Sequence, residues 1–169
     1  GHSRKVRGYA VALSEAMALP SEKVAVISHA ALLHDIGKIG IIDGVLNKVG
    51  RLDIREWEAI KSHPQLSRTI VGHVPSLTPC LPAILHHHEH WDGTGYPAGL
   101  RHEAIPLEAR ILAIADAFDA MTSSRPYRAP LSLKEAADEL NRCAGSQFDP
   151  KLVESFLPIA LTTTPEQLV

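Results

Sequence analysis

The sequence is poor in cysteine and has no long apolar run. Only Cys80 and Cys143 occur among 169 residues, without a Cys-x-x-Cys spacing, and this favours two reduced thiols in a cytoplasmic protein. No stretch approaches the 18 or so apolar residues that a transmembrane helix needs, and the start at Gly1-His2-Ser3 does not resemble a signal peptide. We therefore expect no membrane insertion in this segment.

The chain also lacks an excess of positive charge. The formal net charge is -2 and the isoelectric point is near 6.6. Proteins that bind nucleic-acid polymers or anionic membranes usually carry a basic surplus, so both functions are disfavoured. A small anionic ligand remains compatible with the composition, because a few local cations or metal ions suffice to hold it.

No alternating pattern of β-branched residues appears, so no strand is predicted. The helical periodicity of apolar residues predicts instead an all-α fold, a single compact bundle of about seven helices. Ser21 is a candidate N-cap, and Asp53 and Ser132 each begin a capping-box pattern. We interpret residues 39–50 as a loop and expect the last helix to end at Phe156.

Histidine is the anomalous residue. Ten histidines occur, five of them between His73 and His90. The buried-looking run 30–33 leads into His34-Asp35, and a buried polar pair needs a partner. Adjacent helical residues point about 100° apart, so His34 and Asp35 would face neighbouring metal ions rather than chelate one, and a carboxylate can bridge two.

His87-His88 and the inward-facing Asp116 would complete a sulfur-free set of nitrogen and oxygen ligands. Such a set suits iron, manganese, zinc or nickel, and two ions 3.5–4 Å apart are typical of phosphoester hydrolysis. Lys38 could hold a phosphate oxygen. Arg125 and Arg128 could clamp a second phosphate or a base edge.

Each of these signals has an ordinary alternative. His34-Asp35 alone is equally compatible with a local hydrogen bond. For His87-His88 alone, a solvated histidine cluster is the favoured interpretation. Arg125 and Arg128 alone would be surface cations, and the glycine-rich segment 92–99 a plain connector. The case for a site depends on their joint occurrence.

Taken together, the motifs resemble the HD-GYP family of the HD superfamily of metal-dependent phosphohydrolases. The resemblance rests on four segments: His34-Asp35-Ile36-Gly37-Lys38, the run from His87 to Pro97 that ends in Gly95-Tyr96-Pro97, Asp116, and Arg125-Pro126-Tyr127-Arg128. It extends from His2 to about Phe156. We accordingly assign residues 1–158 to the domain and 159–169 to a C-terminal tail.

The resemblance implies hydrolysis of the bacterial second messenger cyclic di-GMP to linear pGpG, GMP or both. It implies two or three divalent ions, with iron or manganese favoured and zinc or nickel as alternatives. The implied ligands are His2, His34 and Asp116 toward one ion, His63, His87 and His88 toward another, and Asp35 between them. Asp35 and Lys38 would be catalytic, and Lys38, Gly95, Tyr96, Pro97, Arg125 and Arg128 would contact substrate.

Two other functions stay open at this point. The first is a binding module without turnover that senses cyclic dinucleotides or contacts a diguanylate cyclase through the Gly95-Tyr96-Pro97 loop. The second is a phosphodiesterase for another cyclic dinucleotide, such as cyclic GMP-AMP. The resemblance also implies a receiver or other sensory domain upstream. Ser67 stands where the family usually has a glycine.

Overall fold

The computed structural model describes residues 1–48, 50–124 and 129–163. Arg125 and Arg128, two of the predicted substrate contacts, lie outside the described residues, as do residues 164–169 of the predicted tail. Within the described part of the chain no helix is both long and apolar enough to cross a membrane.

The predicted all-α bundle is confirmed: the described residues form nine α-helices and three short 3-10 helices. The α-helices are α1 (His2–Ala16), α2 (Ser21–Leu33), α3 (Asp43–Leu46), α4 (Ile54–Lys61), α5 (His63–Val71), α6 (Leu81–His86), α7 (Leu107–Thr122), α8 (Leu133–Arg142) and α9 (Pro150–Thr162). The 3-10 helices span Ile36–Gly40, Pro75–Cys80 and His102–Ala104.

Helix starts follow local side-chain chemistry where the sequence provides it. Asp53 accepts a hydrogen bond from the Glu56 amide, whose side chain accepts one from the Asp53 amide, and Ser132 and Glu135 do the same at α8. Both predicted capping boxes are confirmed. The prediction for Ser21 was wrong, because Pro20 is the N-cap residue of α2 and Ser21 is the first helical residue. Pro20 has a non-helical ψ of 145°, as an N-cap residue does, and the helical backbone begins at Ser21.

The core lies where α1, α7 and α9 meet. Tyr9, Phe118 and Phe156 are fully buried there, with ring centroids 5.0 to 5.9 Å apart in edge-to-face arrangements. Such aromatic pairs contribute about 0.5–1.5 kcal/mol each beyond their area burial. The cluster fixes α1 against α7, and these two helices carry His2 and Asp116.

Two predicted boundaries were wrong. Helix α9 continues from the expected end at Phe156 to Thr162, and Ala160 is fully buried, because the apolar face of the helix still has core to cover. The predicted loop 39–50 contains the end of a 3-10 helix and the four-residue α3. One turn is too short to show a helical period in sequence. The division between domain and tail at residue 158 stays a prediction.

Candidate metal centre

Three helices end at one place, and a histidine stands at or just beyond each end. His34 follows α2, His87 follows α6, and His63 lies two residues after α4 as the first residue of α5. Each ring donates its Nδ1 hydrogen to the carbonyl three residues earlier. The distances are 2.8 Å from His34 to Ala31, 2.6 Å from His63 to Ile60, and 2.7 Å from His87 to Ile84.

These bonds set the tautomer of all three rings. With Nδ1 protonated, Nε2 carries a lone pair, which is the form that a metal ion needs, and the outer hydrogen bond holds the ring in orientation. The Nε2 atom of His34 is buried and has no hydrogen-bond partner. An unsatisfied buried nitrogen of this kind is costly, and a bound cation would satisfy it.

Three overlapping sets of side chains have ligand atoms within 4.8 Å of one another. The sets are His63–His87–His88, His34–Asp35–His87 and His2–His34–Asp116. All donors are imidazole nitrogens or carboxylate oxygens, the ligand types that borderline divalent transition metals accept. The residues therefore fit more than one ion in adjacent positions. We call the first set the histidine triad and the third the acidic triad.

Asp35 lies between the two triads and faces both. Its Oδ1 atom is 3.3 Å from His63 Nε2, while its Oδ2 atom is 3.6 Å from His34 Nε2 and 3.8 Å from His2 Nε2. Lys38 Nζ donates a 2.6 Å hydrogen bond to the same Oδ2. The two oxygens of one carboxylate can thus serve two neighbouring ions.

His2 is held by a residue to which the sequence analysis gave no role. Its Nδ1 is 2.6 Å from Asp119 Oδ2, and its Nε2 is 3.3 Å from Asp116 Oδ1. Ser123 Oγ in turn donates to Asp119 Oδ1 at 2.8 Å. The signal for Asp119 was present in its spacing, since it lies three residues after Asp116 on the same face of α7.

The electrostatics of the two triads differ. Hydrogen bonds to Asp116 and Asp119 raise the pKa of His2 to about 9. Burial lowers the pKa of His63, lowers that of His87 strongly, and together with nearby His63 lowers that of His88 to about 4. The histidine triad is therefore neutral at pH 7, whereas His2 carries a proton when no ion is bound.

Both carboxylates at the centre stay ionised. Burial would raise the pKa of Asp116 and of Asp35, but interactions with neighbouring side chains outweigh it and lower both values. A hydrogen bond to His2 is the main lowering cause at Asp116, and His34 and Lys38 act at Asp35. An ionised carboxylate is the form in which this group binds a metal ion.

Ser67 joins the segment that carries His34 and Asp35 to α5. Its Oγ donates to the His34 carbonyl at 2.7 Å and accepts from the Gly37 amide at 2.8 Å. The backbones approach so closely that a Cβ on Gly37 would lie 2.2 Å from the His63 carbonyl oxygen. Ser67 thus makes two buried hydrogen bonds that tie the two segments together.

The segment after His88 folds back over that residue. The Tyr96 amide donates to the His88 carbonyl at 3.1 Å, and the Tyr96 ring stacks on the His88 ring at 4.9 Å. Gly95 allows this approach, because a Cβ there would lie 2.4 Å from the His88 carbonyl oxygen. Burial raises the pKa of Tyr96 to about 12, so its hydroxyl stays protonated. Pro97 is exposed.

Glu89, a second residue outside the predicted set, fixes the end of the loop that follows His88. Its buried carboxylate accepts hydrogen bonds from the backbone amides of Ala98 at 2.7 Å and Leu100 at 3.1 Å. His86 Nδ1 is 3.2 Å from the same group. Nothing in the local sequence indicates these partners, which are nine and eleven residues away in the chain.

The structure brings the seven predicted ligands and Lys38 together, with Gly95 and Tyr96 beside them. Residues 1–152 match the sequence profile of the HD domain family. The chain belongs to the HD domain family. The resemblance to its HD-GYP branch is also confirmed. A solved Bdellovibrio bacteriovorus protein, Bd1817, described as an HDG"Y"P protein, has the same fold: the TM-score is 0.75 at 21% identity, over 94% of this chain and 51% of that one.

Curated relatives are similar at higher identity. The cyclic di-GMP phosphodiesterase of Thermotoga maritima is 41% identical over 160 residues, which cover 94% of this chain and 44% of that protein. The response regulator RpfG of Xanthomonas campestris, a cyclic di-GMP phosphodiesterase, is 43% identical over 147 residues, 86% and 39% of the two chains.

The 3'3'-cGAMP-specific phosphodiesterase 2 of Vibrio cholerae is 36% identical over 158 residues, which cover 92% of this chain and 30% of that protein. The chain thus spans less than half the length of these curated relatives.

Proposed function

We propose that this domain is a metal-dependent phosphodiesterase that hydrolyses cyclic di-GMP to linear pGpG, GMP or both. The observation that carries the proposal is the position of Asp35, whose two oxygens face two separate triads of side chains that could hold metal ions. That geometry suits a pair of ions, and paired ions are typical of enzymes that cleave phosphate esters.

In this proposal His2, His34 and Asp116 would hold one ion, His63, His87 and His88 would hold the other, and Asp35 would serve both. Two such ions would acidify a water molecule for attack and neutralise charge on the phosphate. The resemblance to the HD-GYP family favours iron or manganese. Zinc and nickel also accept mixed imidazole and carboxylate ligands and are the alternatives, and a third ion is also compatible.

Protein groups around the ions would bind and orient the phosphate. Lys38 has a partly exposed ammonium group on Asp35, from which it can reach a phosphate oxygen by rotating its flexible stem. The protonated Tyr96 hydroxyl is a hydrogen-bond donor at the edge of the centre. Gly95 and Pro97 shape the loop that carries it, and Arg125 and Arg128 belong to the proposal as cations for the second phosphate or a base.

The names of the curated relatives support cyclic di-GMP as the substrate, and one of them also defines the main alternative. Two curated relatives at 41% and 43% identity are named cyclic di-GMP phosphodiesterases, while one at 36% is named for 3'3'-cGAMP. Hydrolysis of cyclic GMP-AMP is therefore the second candidate function. A binding module without turnover is the third, and the full set of ligand side chains in the acidic and histidine triads weighs against it.

The test combines metal analysis with product identification. Protein purified without oxygen should contain about two equivalents of iron or manganese and convert cyclic di-GMP to pGpG or GMP, followed by chromatography. The exposed variant His29→Ala should behave as the unmodified protein does. Absence of product at every metal loading would overturn the proposal, and preferential cleavage of cyclic GMP-AMP would select the second candidate.

The cellular setting is part of the same proposal. Because the chain spans less than half of its curated relatives, further segments of those proteins have no counterpart in the residues compared. We propose action in the cytoplasm under control of an upstream receiver or sensory domain. Contact with a diguanylate cyclase through the Gly95-Tyr96-Pro97 loop is a further element, testable by pull-down with loop variants.

A further inference from the structure

A cavity of about 420 Å³ opens beside the metal centre. Its wall is formed by α4 and by the loop that follows His88, and its lining residues are Trp57, Lys61, His88, His90, Thr94, Gly95 and Tyr96. The volume falls within the 300–1,000 Å³ common for ligand sites. His88 belongs both to the histidine triad and to this wall, so a ligand held at the centre by its phosphate can extend into the cavity.

Three aromatic rings connect the metal centre to the far wall of the cavity. The Tyr96 ring stacks on His88 at 4.9 Å, and the Trp57 ring lies edge-on to Tyr96 at 6.5 Å. Trp57 is 46% exposed although it is the largest apolar side chain of α4. An indole that is left open at a cavity wall offers a flat surface on which a planar base can stack.

Lys61 supplies a cation in the same wall. It lies one turn after Trp57 on α4, so the two side chains share a face of the helix. Lys23, Lys38, Lys48 and Lys134 each pair with a carboxylate. The Lys61 side chain is half-buried, and its ammonium group makes no hydrogen bond or ion pair with any described residue. Its ammonium group is therefore available to a ligand.

We infer that this cavity binds one guanine base of the substrate, stacked on Trp57 and recognised by Lys61. Guanine presents two acceptors, O6 and N7, on one edge, and a lysine ammonium can donate to both. Adenine presents an amino group in place of O6, which an ammonium group repels. The inference rests on the proposed function for the position of the phosphate, and it adds a source of preference between guanine and adenine.

The test measures binding of GMP and AMP to the metal-loaded protein by calorimetry and by quenching of tryptophan fluorescence. GMP should bind more tightly than AMP. Trp57→Ala should weaken GMP binding about ten-fold or more, whereas Trp57→Phe should retain most of the affinity because it keeps an aromatic face. Ile54→Ala, an exposed apolar truncation one turn earlier on α4, is the matched control and should change nothing.

A second pair of variants tests the discrimination. Lys61→Met should reduce the ratio of GMP to AMP affinity about ten-fold, while Lys151→Met, an exposed lysine on α9, should leave it unchanged. Fluorescence quenching by GMP should disappear in Trp57→Phe if Trp57, rather than Trp91, reports the base. Equal metal content and circular dichroism of all variants would show that they are folded and loaded.

Either of two results with the variants would overturn the inference: GMP affinity equal in Trp57→Ala and Ile54→Ala, or an unchanged base preference in Lys61→Met. Failure of GMP to bind to the unmodified protein would overturn it as well. None of these measurements involves hydrolysis. A protein that binds GMP through Trp57 but cleaves no cyclic dinucleotide would contradict the proposed function. The inference of a guanine site would not be contradicted by that result.

Discussion

The two triads of the metal centre are built in opposite ways. The histidine triad consists of neutral side chains, two of them almost completely buried and all fixed by the ends of helices or the loop that follows. The acidic triad depends on His2, whose side chain is 34% exposed and whose proton is held by two aspartates. One triad is ready to bind an ion, and the other must release a proton first.

This difference predicts unequal affinities. Metal binding competes with protons for the same nitrogen atoms, so at pH 7 an ion must displace a proton from His2, whose pKa is about 9, but not from His88, whose pKa is about 4. We expect the ion at the histidine triad to bind first and to exchange more slowly. The ion at the acidic triad should be lost first to a chelator.

Asp35→Ala should empty both triads, so that no difference between them is left to measure. This is the largest effect we expect. Both triads lose their shared carboxylate, so both ions should be lost and cleavage of cyclic di-GMP should fall to background. Elemental analysis and product chromatography measure this. Asp138→Ala, an exposed carboxylate on α8, is the control. Retention of two ions in Asp35→Ala would show that the carboxylate does not join them.

His63→Ala and His2→Ala should separate the two triads. Each variant should retain one ion, but His63→Ala should lose the tightly bound one and His2→Ala the weakly bound one. Metal titration followed by dialysis against a chelator distinguishes them. If both variants kept the same ion, the assignment of ligands to separate ions would be wrong.

Asp119→Asn should weaken one site and spare the other. The amide keeps the shape of Asp119 but not the charge that orients His2, and changes of this kind typically cost 10–100-fold in metal affinity. The effect should appear only in the weaker binding step of a titration. Equal weakening of both steps would contradict the placement of Asp119 behind a single triad.

Ser67→Ala tests the two hydrogen bonds that connect α5 to the segment carrying His34 and Asp35. It leaves the Gly37 amide and the His34 carbonyl without their buried partner, and a loss of this kind costs about 1–3 kcal/mol in the free energy of unfolding. Urea denaturation measures it. Ser155→Ala, an exposed serine on α9, should be nearly neutral.

The smallest effect concerns pH in the metal-free protein. Folding lowers the pKa of His88 from 6.5 to about 4, so the unfolded chain takes up the proton first, and stability is lost as the pH falls from 6.5 toward 4. Folding raises the pKa of His2 from 6.5 to about 9, so its contribution is full below pH 6.5 and is lost as the pH rises toward 9.

Denaturation curves across this range should show the two contributions separately. His88→Gln should flatten the acid side of the stability profile, and His2→Gln the alkaline side. The same result in both variants would mean that the two triads do not differ in protonation as described.

The sequence predicted which side chains would lie together, and four of them stand in two dense local motifs. His34-Asp35 and His87-His88 are adjacent in the chain, and the helix ends that present them follow from local apolar patterns. The roles of the supporting residues escaped prediction because their partners are remote: Asp119 is 117 positions from His2, and Ser67 is 33 positions from His34. Local periodicity carries no information about such contacts.

Short irregular elements were the other limit. The 3-10 helix Ile36–Gly40 and α3 contain five and four residues, too few for a repeating apolar pattern. The continuation of α9 to Thr162 depends on what its apolar face meets across the bundle. Both features become visible only when the packing is known.

The carbonyl bonds of His34, His63 and His87 have a dynamic consequence. The last carbonyls of a helix lack partners within the helix, and here the imidazoles that would bind the ions cap three helices at once. Removing the ions should therefore loosen the ends of α2, α4 and α6 together. Backbone amide hydrogen exchange at these three separate places would then accelerate in concert, a signature of metal release that needs no substrate to observe.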